Sequence, residues 1–393
     1  MHRKMIQGVT SSLSVVFIRE QVQFIEKNGY QVTVVCNKDF ETSYDGMTVE
    51  HIPFEREISI LQDIRTLYSL LKYLKREKPD IINFSTPKAG LLGMVAGRLA
   101  GVPTRIYIQR GLRLETAGGI KKHILYATEK TACSLSTHVI VVSDSLEREM
   151  VERKLLTREK MVRIGKGSSH GIDTKKYDPA AIDWDRLNNL RDELGIGPSD
   201  FIIGYAGRLT RDKGINELVE SFISLAEHRS HVKLLLIGDF EMSDPIEERN
   251  IRSIESHARI IHCAYTGGME YYYSLMDVFA LPTYREGFSN VSIEAQAMGV
   301  PVVTFDSTGA RDTIDPRRTG IIVKSNDAKG LRDALEALID NGVKRKALSG
   351  AARKFIVDNF DRQYMHHELL KFYDSLGKRG EYDVEENDEY LGA

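Results

Sequence analysis

The sequence FIIGYAGRLTRDKGINELVESFISL, residues 201–225, shows most directly which fold class this chain adopts. Its first six residues are apolar or small and run into a loop bounded by Gly207 and Gly214, and a helical pattern begins at residue 215. A strand, a glycine-bounded loop and a helix in this order are the repeating half of a βαβ unit, which builds a parallel sheet. This stretch therefore predicts an α/β fold.

The same alternation of apolar and amphipathic segments continues along most of the chain. The predicted strands are residues 4–9, 31–36, 80–84, 105–109, 138–142, 201–205, 233–237, 278–281 and 302–305. The clearest helix is residues 60–77, where apolar residues repeat at steps of four and three until Pro79 stops it. We expect two Rossmann-like, doubly wound parallel-sheet domains that face a central cleft, where ligands bind at the carboxyl ends of the strands.

Four units follow from the composition along the 393 residues. They are a first Rossmann-like domain (1–190), a second one (191–360), a closing helix (361–376) and an acidic tail (377–393). Prolines and glycines in residues 173–200 are typical of a connection between domains. Residues 381–393 carry six acids and no Lys or Arg, so we expect the tail to be disordered.

The charge is balanced overall but uneven along the chain. The 54 Lys and Arg against 56 Asp and Glu exclude a polycation that coats nucleic acid. Residues 56–130, however, hold 14 basic and 6 acidic side chains. We expect the first domain to meet an anionic ligand or an anionic membrane surface, although ordinary solvated helix faces would give the same excess.

Neither a membrane span nor a metal site is predicted. The longest mostly apolar stretch, residues 90–102, is shorter than the roughly 20 residues that a spanning helix needs. Cys36, Cys133 and Cys263 are far apart and form no CxxC pair, so we expect reduced cysteines in a cytoplasmic protein.

Arg208 and Lys213 make the loop 207–214 a candidate anion site. Glycine lets the backbone approach a ligand, the helix N–H groups point at it, and each cation adds a hydrogen bond worth about 1.5–3 kcal/mol. The expected ligand is a diphosphate, although a basic turn also occurs by chance on many surfaces. The loop matches neither the Walker pattern nor GxGxxG, which weakens kinase and dehydrogenase interpretations.

A second motif, TYREGFSNVSIEAQAMGVP, occupies residues 283–301 and places two glutamates eight positions apart. Glu286 is expected in a loop and Glu294 on an early turn of the helix that follows. A carboxylate accepts two hydroxyl hydrogen bonds, so the pair suits a ribose and a hexose. The loop amides expected to face an anion at the helix start belong to Gly287, Phe288 and Ser289.

The glutamate pair is also compatible with two roles unrelated to sugar-nucleotide binding. A glutamate near a helix start often serves only the helix dipole. Two carboxylates about 5–9.5 Å apart could also be the acid and nucleophile of a glycosidase, although a hydrolase of simple glycosides needs no diphosphate loop.

Together, Gly207-Arg208-Leu209 with Lys213-Gly214 and Glu286-Gly287-Phe288 with Glu294-Ala295 resemble the motifs of the family 4 glycosyltransferases of the GT-B fold. The resemblance covers nearly the whole chain. It implies an enzyme that retains anomeric configuration and needs neither cofactor nor metal. It also implies that Arg208 and Lys213 hold a nucleotide diphosphate, Glu294 binds the ribose and Glu286 contacts the donor sugar. Glu286, Lys213 and Arg208 are the predicted catalytic residues.

Residues 9–14, 86–93 and 109–116 resemble the branch that builds bacterial capsule, O-antigen and other lipid-linked glycans. This resemblance implies a polyprenyl-diphosphate-linked saccharide as acceptor, a UDP-linked hexose or N-acetylhexosamine as donor, and a peripheral position on the inner face of the cytoplasmic membrane. The acceptor-binding candidates are Ser11, Ser12, Lys88, Arg110 and Arg113. Lys121 and Lys122 are further candidates, although they could simply begin a helix.

Two departures from the family pattern limit what can be carried over. Arg110-Gly111 stands where many relatives have a histidine-containing pair, so no catalytic histidine is transferred there. Residues 167–173 replace the usual Pro-Asn-Gly-Val-Asp turn and bring in His170, a cleft candidate, although a lone loop histidine is more often structural. The rival functions are an epimerase acting on the nucleotide sugar alone and a non-catalytic nucleotide-sugar-binding protein.

Overall fold

The computed structural model describes residues 2–41, 43–55, 59–168 and 170–376, which form two parallel sheets covered by helices. The first sheet and its helices are β1 (Arg3–Gly8), α1 (Val15–Lys27), β2 (Tyr30–Cys36), β3 (Thr48–His51), α2 (Ile60–Glu77), β4 (Ile81–Ser85), α3 (Pro87–Ala100), β5 (Thr104–Gln109), α4 (Gly119–Leu135), β6 (His138–Val141), α5 (Asp144–Glu152) and β7 (Met161–Val162). The predicted tail, residues 377–393, lies outside the described residues.

The second sheet follows a connecting helix and ends with two long helices and a closing one. Its elements are α6 (Trp184–Glu193), β8 (Phe201–Ala206), α7 (Ile215–Ala226), β9 (Val232–Ile237), α8 (Glu248–Ser256), β10 (Ile260–Cys263), α9 (Met269–Ser274), β11 (Val278–Leu281), α10 (Asn290–Ala297), β12 (Val302–Phe305), β13 (Gly320–Val323), α11 (Ala328–Asp340), α12 (Gly342–Phe360) and α13 (Arg362–Ser375).

Both sheets are doubly wound. The strand orders are β3-β2-β1-β4-β5-β6-β7 and β10-β9-β8-β11-β12-β13, and every pairing is parallel. The order reverses between β1 and β4 in one sheet and between β8 and β11 in the other, which leaves a crevice at the carboxyl ends of these strands. The predicted α/β class with two doubly wound sheets is confirmed.

The central strands are the ones that the sequence predicts best. Strand β8 is buried at all six positions and β4 at all five, as expected for parallel strands covered by helices on both faces. The bounds of α2, β11 and β12 are those predicted. Strands β3, β7, β10 and β13 were not predicted, and all four lie at sheet edges.

The chain passes between the two sheets twice, and the two crossings are hydrogen-bonded to each other. Ile172 and Asp361 form an isolated parallel bridge. The N–H of Ile172 donates to the carbonyl of Phe360 at 2.9 Å, and the N–H of Arg362 donates to the carbonyl of Ile172 at 2.8 Å. This bridge, which we call the paired hinge, joins the crossings into one connection.

Helix α13 packs against the first sheet. The guanidinium of Arg3 donates to the carbonyl of Tyr373 at 2.8 Å, and the amide of Asn83 donates to the Tyr373 hydroxyl at 2.5 Å. The two bonds join residues that are 370 and 290 positions apart in sequence. The last described helix therefore contacts strands β1 and β4 of the first sheet.

Helix α2 buries only part of its apolar surface. Leu74 near its end is 1% exposed, whereas Ile60 and Ile64 on the same stripe are 75% and 59% exposed. Leu61 and Tyr68 are also exposed. An amphipathic helix normally turns its apolar stripe to the core. The first half of α2 thus leaves an apolar face in solvent.

Candidate active site

The loops that follow β8 and β11 lie side by side because these strands are neighbours in the sheet. Each loop contributes one residue of an ion pair, in which Lys213 Nζ donates to Glu286 Oε1 at 2.5 Å. The side chains are 13% and 22% exposed, respectively. Water screens a partly buried pair weakly, so an anion placed beside it would interact strongly with the lysine.

Gly214 keeps Lys213 in this position. Residues Arg211–Lys213 form a 3₁₀ turn, and Gly214 ends it with a φ of +71°. A methyl group on Gly214 would overlap the carbonyl oxygen of Pro282, the residue that follows β11. Because glycine has no Cβ, it alone adopts this conformation at this distance without strain.

Arg208 also has a carboxylate partner, in the loop that follows β9. Its guanidinium pairs with Glu241, and its side chain is 56% exposed. The Tyr205 hydroxyl donates to the Arg208 carbonyl at 2.9 Å, which fixes the backbone of the loop. The two cations of the first motif therefore have separate carboxylate partners, Glu286 for Lys213 and Glu241 for Arg208.

Glu294 lies on the second turn of α10 in an environment unlike that of Glu286. The Tyr273 hydroxyl donates to Glu294 Oε2 at 2.9 Å, and Tyr177 provides a second hydrogen bond. Burial raises the pKa of Glu294, and the two tyrosine hydroxyls oppose this shift. Neither tyrosine is predicted from the sequence, because neither belongs to a motif.

The start of α10 holds polar groups without partners. Ser289 occupies the N-cap position, but its side chain accepts no hydrogen bond from the helix. Ser289 Oγ and Asn290 Oδ1 are buried and have no hydrogen-bond partner among the described residues. Phe288 beside them packs on Phe360, with ring centroids 5.1 Å apart. A helix N-terminus in this state favours an anion.

Gly287 is where the two sheets' loops touch. A methyl group on Gly287 would overlap the carbonyl oxygen of Arg110, and one on Gly111 would lie 3.0 Å from the Gly287 nitrogen. Ser143 Oγ, which follows β6, donates to the Gly287 carbonyl at 2.8 Å. The second motif is therefore pressed against loops of the first sheet, directly beside Glu286.

Further contacts join the segments of the two sheets, an arrangement that we call the closed form. Arg285 Nε donates to Thr116 Oγ1 at 2.8 Å. Ser145 Oγ accepts from the N–H of Gly309 at 2.7 Å and also bonds to the Asp312 carboxylate. These partners lie in loops, or in turns and helix starts, that follow the carboxyl ends of strands, so the contact between the two sheets' segments is at the crevice itself.

Glu115 is partly buried at the same contact. Its carboxyl accepts a hydrogen bond from Thr308, while Oε1 has no partner among the described residues. Burial raises the pKa of Glu115 to about 7, and nearby Glu149 adds to the effect, whereas Arg153 and Arg285 oppose it. This carboxyl therefore changes its charge near neutral pH when the sheets are in contact.

The acceptor-binding candidates of the first sheet are partly engaged in local structure. Ser11 caps the 3₁₀ turn that follows it, and the Ser12 hydroxyl donates to Asp39 Oδ1 at 2.8 Å. Both serines are buried. Lys88 pairs with Asp63 at 2.7 Å, which joins the start of α3 to the start of α2.

The remaining basic candidates differ in exposure. Arg113, in a 3₁₀ turn, and Lys121 and Lys122, in the first turn of α4, are exposed. Arg110 is desolvated, and this lowers its pKa to about 10. Burial, with a contribution from Arg110, lowers the pKa of His170 to about 3, so this imidazole is uncharged at neutral pH.

Several polar residues near Arg110 were missed from the sequence. Gln21 of α1, Asn83 of β4 and His366 of α13 are each 3% exposed. Each interrupts an otherwise apolar pattern in its own element, and that interruption was the only signal in the sequence.

Within the described ranges, no group of three or more His, Cys, Asp or Glu side chains is arranged as metal ligands would be. No helix among the described residues combines the length and the apolar character that a bilayer crossing requires.

Two family models match the chain. The model for glycosyl transferases group 1 matches residues 188–355, and that for glycosyltransferase family 4 matches residues 14–175. A capsular polysaccharide biosynthesis glycosyltransferase of Staphylococcus aureus, CapM, is 36% identical over 97% of this chain and 99% of its own length. An Escherichia coli UDP-Gal:alpha-D-GlcNAc-diphosphoundecaprenol alpha-1,3-galactosyltransferase is 23% identical over 87% of this chain and 88% of its own length.

Solved structures share the fold. Anabaena HepE in complex with UDP aligns with a TM-score of 0.76 at 17% identity, over 95% of this chain and all of its own. A sucrose-phosphate synthase of Thermosynechococcus elongatus gives a TM-score of 0.78 at 19% identity, over 96% and 99% of the two chains. With two facing doubly wound sheets and a relative of this similarity over almost its full length, the chain belongs to the family 4 and group 1 glycosyltransferases of the GT-B fold.

Proposed function

We propose that this protein is a retaining glycosyltransferase of cell-surface polysaccharide biosynthesis, which moves a hexose or N-acetylhexosamine from a UDP-linked donor to a polyprenyl-diphosphate-linked saccharide. The observation that carries the proposal is the ion pair of Lys213 and Glu286, at 2.5 Å, in the crevice of the second sheet. The names of the S. aureus and E. coli relatives, which include capsule, UDP-Gal and diphosphoundecaprenol, support the substrate classes.

In this proposal the second unit, residues 191–360, binds the donor. Lys213 and Arg208 hold the diphosphate, Glu286 contacts the sugar and Glu294 binds the ribose. The start of α10 supports the assignment, because it has no side-chain cap and its N–H groups favour phosphate oxygens. Arg208 exchanges its Glu241 carboxylate for a phosphate oxygen when the donor arrives.

The transfer step needs charge stabilisation at the departing diphosphate. The acceptor hydroxyl oxygen forms a bond to the anomeric carbon on the face from which the diphosphate oxygen departs, and the hydroxyl proton passes to the diphosphate. Attack on that face retains the configuration. Lys213, Arg208 and the α10 amides offset the developing negative charge, a role for preorganised donors that is worth about 10²–10³ in rate for each.

The first unit, residues 1–190, binds the lipid-linked acceptor and rests on the inner face of the cytoplasmic membrane. The exposed apolar half of α2 supports this, as does Ile120 at the start of α4, which is 80% exposed. Lys121 and Lys122 follow Ile120 directly. Apolar side chains beside lysines bind an anionic leaflet both by insertion and by charge, at about 1 kcal/mol per lysine.

A thermal-shift and turnover screen tests the reaction. Purified protein is incubated with UDP-, GDP- and dTDP-sugars, with and without a short polyprenyl-diphosphate sugar. Binding raises the melting temperature by mass action. We expect one UDP-sugar to stabilise the protein and to be consumed only with acceptor. Consumption without acceptor would indicate an epimerase, and binding without any turnover a nucleotide-sugar-binding protein.

Co-sedimentation with anionic liposomes at low salt tests the membrane contact. We expect the wild-type protein to sediment and Leu61→Glu to remain in solution, because the new charge opposes both insertion and attraction. Val343→Glu, at a side chain 84% exposed on α12, is the matched control and should sediment like wild type. Equal binding by Leu61→Glu would contradict the proposed face.

A further inference from the structure

Arg110 lacks the partner that a desolvated arginine normally has. It follows β5 at the crevice, and burial lowers its pKa to about 10. Among the described residues, no carboxylate lies within ion-pair distance of its guanidinium. The residue is only partly exposed, and an arginine largely removed from water without a carboxylate is costly, which makes this position receptive to an anion.

One small cavity is lined by Arg110, and a second lies next to it across Gln21. A cavity of about 10 Å³ is lined by Arg110, Asn83 and Gln21, among others. A second cavity, of about 20 Å³, shares Gln21 and is also lined by His170 and His366. In the part of the chain that the structure describes, no Asp or Glu lines either cavity.

The walls of these cavities carry polar atoms without partners. Asn83 Oδ1, His170 Nδ1 and His366 Nδ1 are buried and have no hydrogen-bond partner among the described residues. A neutral imidazole donates from one ring nitrogen, so both histidines can supply an N–H to an anion. Asn83 Oδ1 can accept from a hydroxyl attached to the same ligand.

The cavity volumes limit the size of the occupant. About 10–15 Å³ of such space holds one water molecule, so the two cavities together hold roughly two or three water-sized groups. A carboxylate or a phosphate has this size, whereas a pyranose ring does not. The polar groups of the walls and the volume of the cavities thus both favour a single compact oxyanion.

We propose that Arg110 and the two cavities form a binding site for one anionic group, a phosphate or a carboxylate, of a substrate. This rests on the proposed function only for the molecule that carries the group. The carrier is either the donor, whose diphosphate reaches across the contact between Gly111 and Gly287, or an anionic acceptor saccharide held by the first sheet.

Inorganic phosphate binding to the full chain tests the site without requiring any transfer reaction. The measurement is isothermal titration in a Lys213→Gln background, which weakens phosphate binding at the donor site. Adding Arg110→Gln should weaken the remaining phosphate binding about tenfold or more, because a charge-assisted hydrogen bond typically contributes that much to affinity. Arg110→Lys should retain part of the phosphate affinity. Arg98→Gln, at an exposed arginine of α3, is the matched control.

Unchanged phosphate affinity in the Arg110→Gln protein, with a wild-type melting profile, would overturn the proposal. A second arm identifies the carrier. If the donor carries the group, Arg110→Gln weakens UDP binding in the absence of acceptor. If the acceptor carries it, UDP affinity stays constant while KM for the acceptor rises. Since phosphate binding is measured separately, failure of the transferase assay would leave this result interpretable.

Discussion

The two sides of the crevice satisfy their polar groups differently. On the second-sheet side, Lys213 and Glu286 already neutralise each other at 2.5 Å. On the first-sheet side, Arg110 has no carboxylate among the described residues, and atoms of Asn83 and His170 lack partners. The charges of the second-sheet side, which we call the assembled side, are thus paired before any substrate arrives, although Ser289 Oγ and Asn290 Oδ1 there still lack partners among the described residues. The cation of the first-sheet side is left for a group that the substrate brings.

Lys213→Ala should have the largest effect, because it removes the cation of the assembled side. We expect turnover to fall about 100-fold or more, measured as kcat with the donor found in the screen. Lys233→Ala is the matched control, since Lys233 is similarly buried in an ion pair with Asp200 away from the crevice. Near-wild-type turnover with intact folding would remove Lys213 from the proposed site.

Gly287→Ala should have the next largest effect, because it separates the two sides. The added methyl group overlaps the Arg110 carbonyl, and overpacking of this kind costs about 1–3 kcal/mol. We expect kcat to fall about tenfold and small-angle X-ray scattering to show a more open molecule. Gly342→Ala, where no atom lies within 4 Å of the added carbon, should change neither. An unchanged scattering profile would contradict the role of this contact.

Tyr273→Phe should weaken the assembled side modestly. It keeps the ring but removes the hydroxyl that donates to Glu294 at 2.9 Å. Losing this hydrogen bond should cost about 1 kcal/mol of binding free energy, which corresponds to about a fivefold higher Kd for UDP, measured by titration. Tyr271→Phe, two residues earlier, is the control. If both variants bind UDP equally well, Glu294 does not depend on Tyr273.

Glu115 should make contact between the two sides depend weakly on pH. Its ordinary pKa is 4.5, and burial raises the pKa to about 7 in the closed form. The neutral carboxyl favours contact, and this contribution to the free energy of contact is fully present below pH 4.5. It decreases as the pH rises and is lost once the pH has passed through 7. We expect scattering to show a smaller closed fraction at pH 8 than at pH 6.

Glu115→Gln should remove most of that dependence, because its amide stays neutral. Glu152→Gln, at an exposed glutamate of α5, should retain the wild-type profile. A pH profile that is the same in Glu115→Gln and wild type would assign the change to another group.

The strands show how far the sequence predicts the fold. Buried central strands such as FIIGYA are continuous apolar segments, and they were predicted nearly to their bounds. Two of the missed edge strands, β3 and β7, give little apolar signal, whereas β10 (IIHC) and β13 (GIIV) are apolar and were missed all the same. Strand β3, with the sequence TVEH, has no fully buried residue, and β7 has only two residues.

The two sides of the crevice also differ in how well they can be predicted. Lys213 and Glu286 belong to short motifs next to predicted strands, so neighbouring strands in the sheet place them together. Gln21, Asn83 and His366 come from three distant elements, and nothing in the linear pattern joins them. The pairing of Arg208 with Glu241 was likewise unpredictable, because it depends on side-chain directions in two separate loops.

The paired hinge has a consequence for recombination between family members. Because Ile172 bonds to the backbone on both sides of Asp361, a graft of the second-sheet half has two junctions that lie side by side. Helix α13 follows the second junction but bonds through Tyr373 to Asn83 and Arg3. A chimera can exchange residues 173–360 and keep α13 from the parent that supplies the first sheet. Such a chimera preserves both the paired hinge and the bonds of Tyr373. One that carries α13 along with the graft places a foreign helix on β1 and β4.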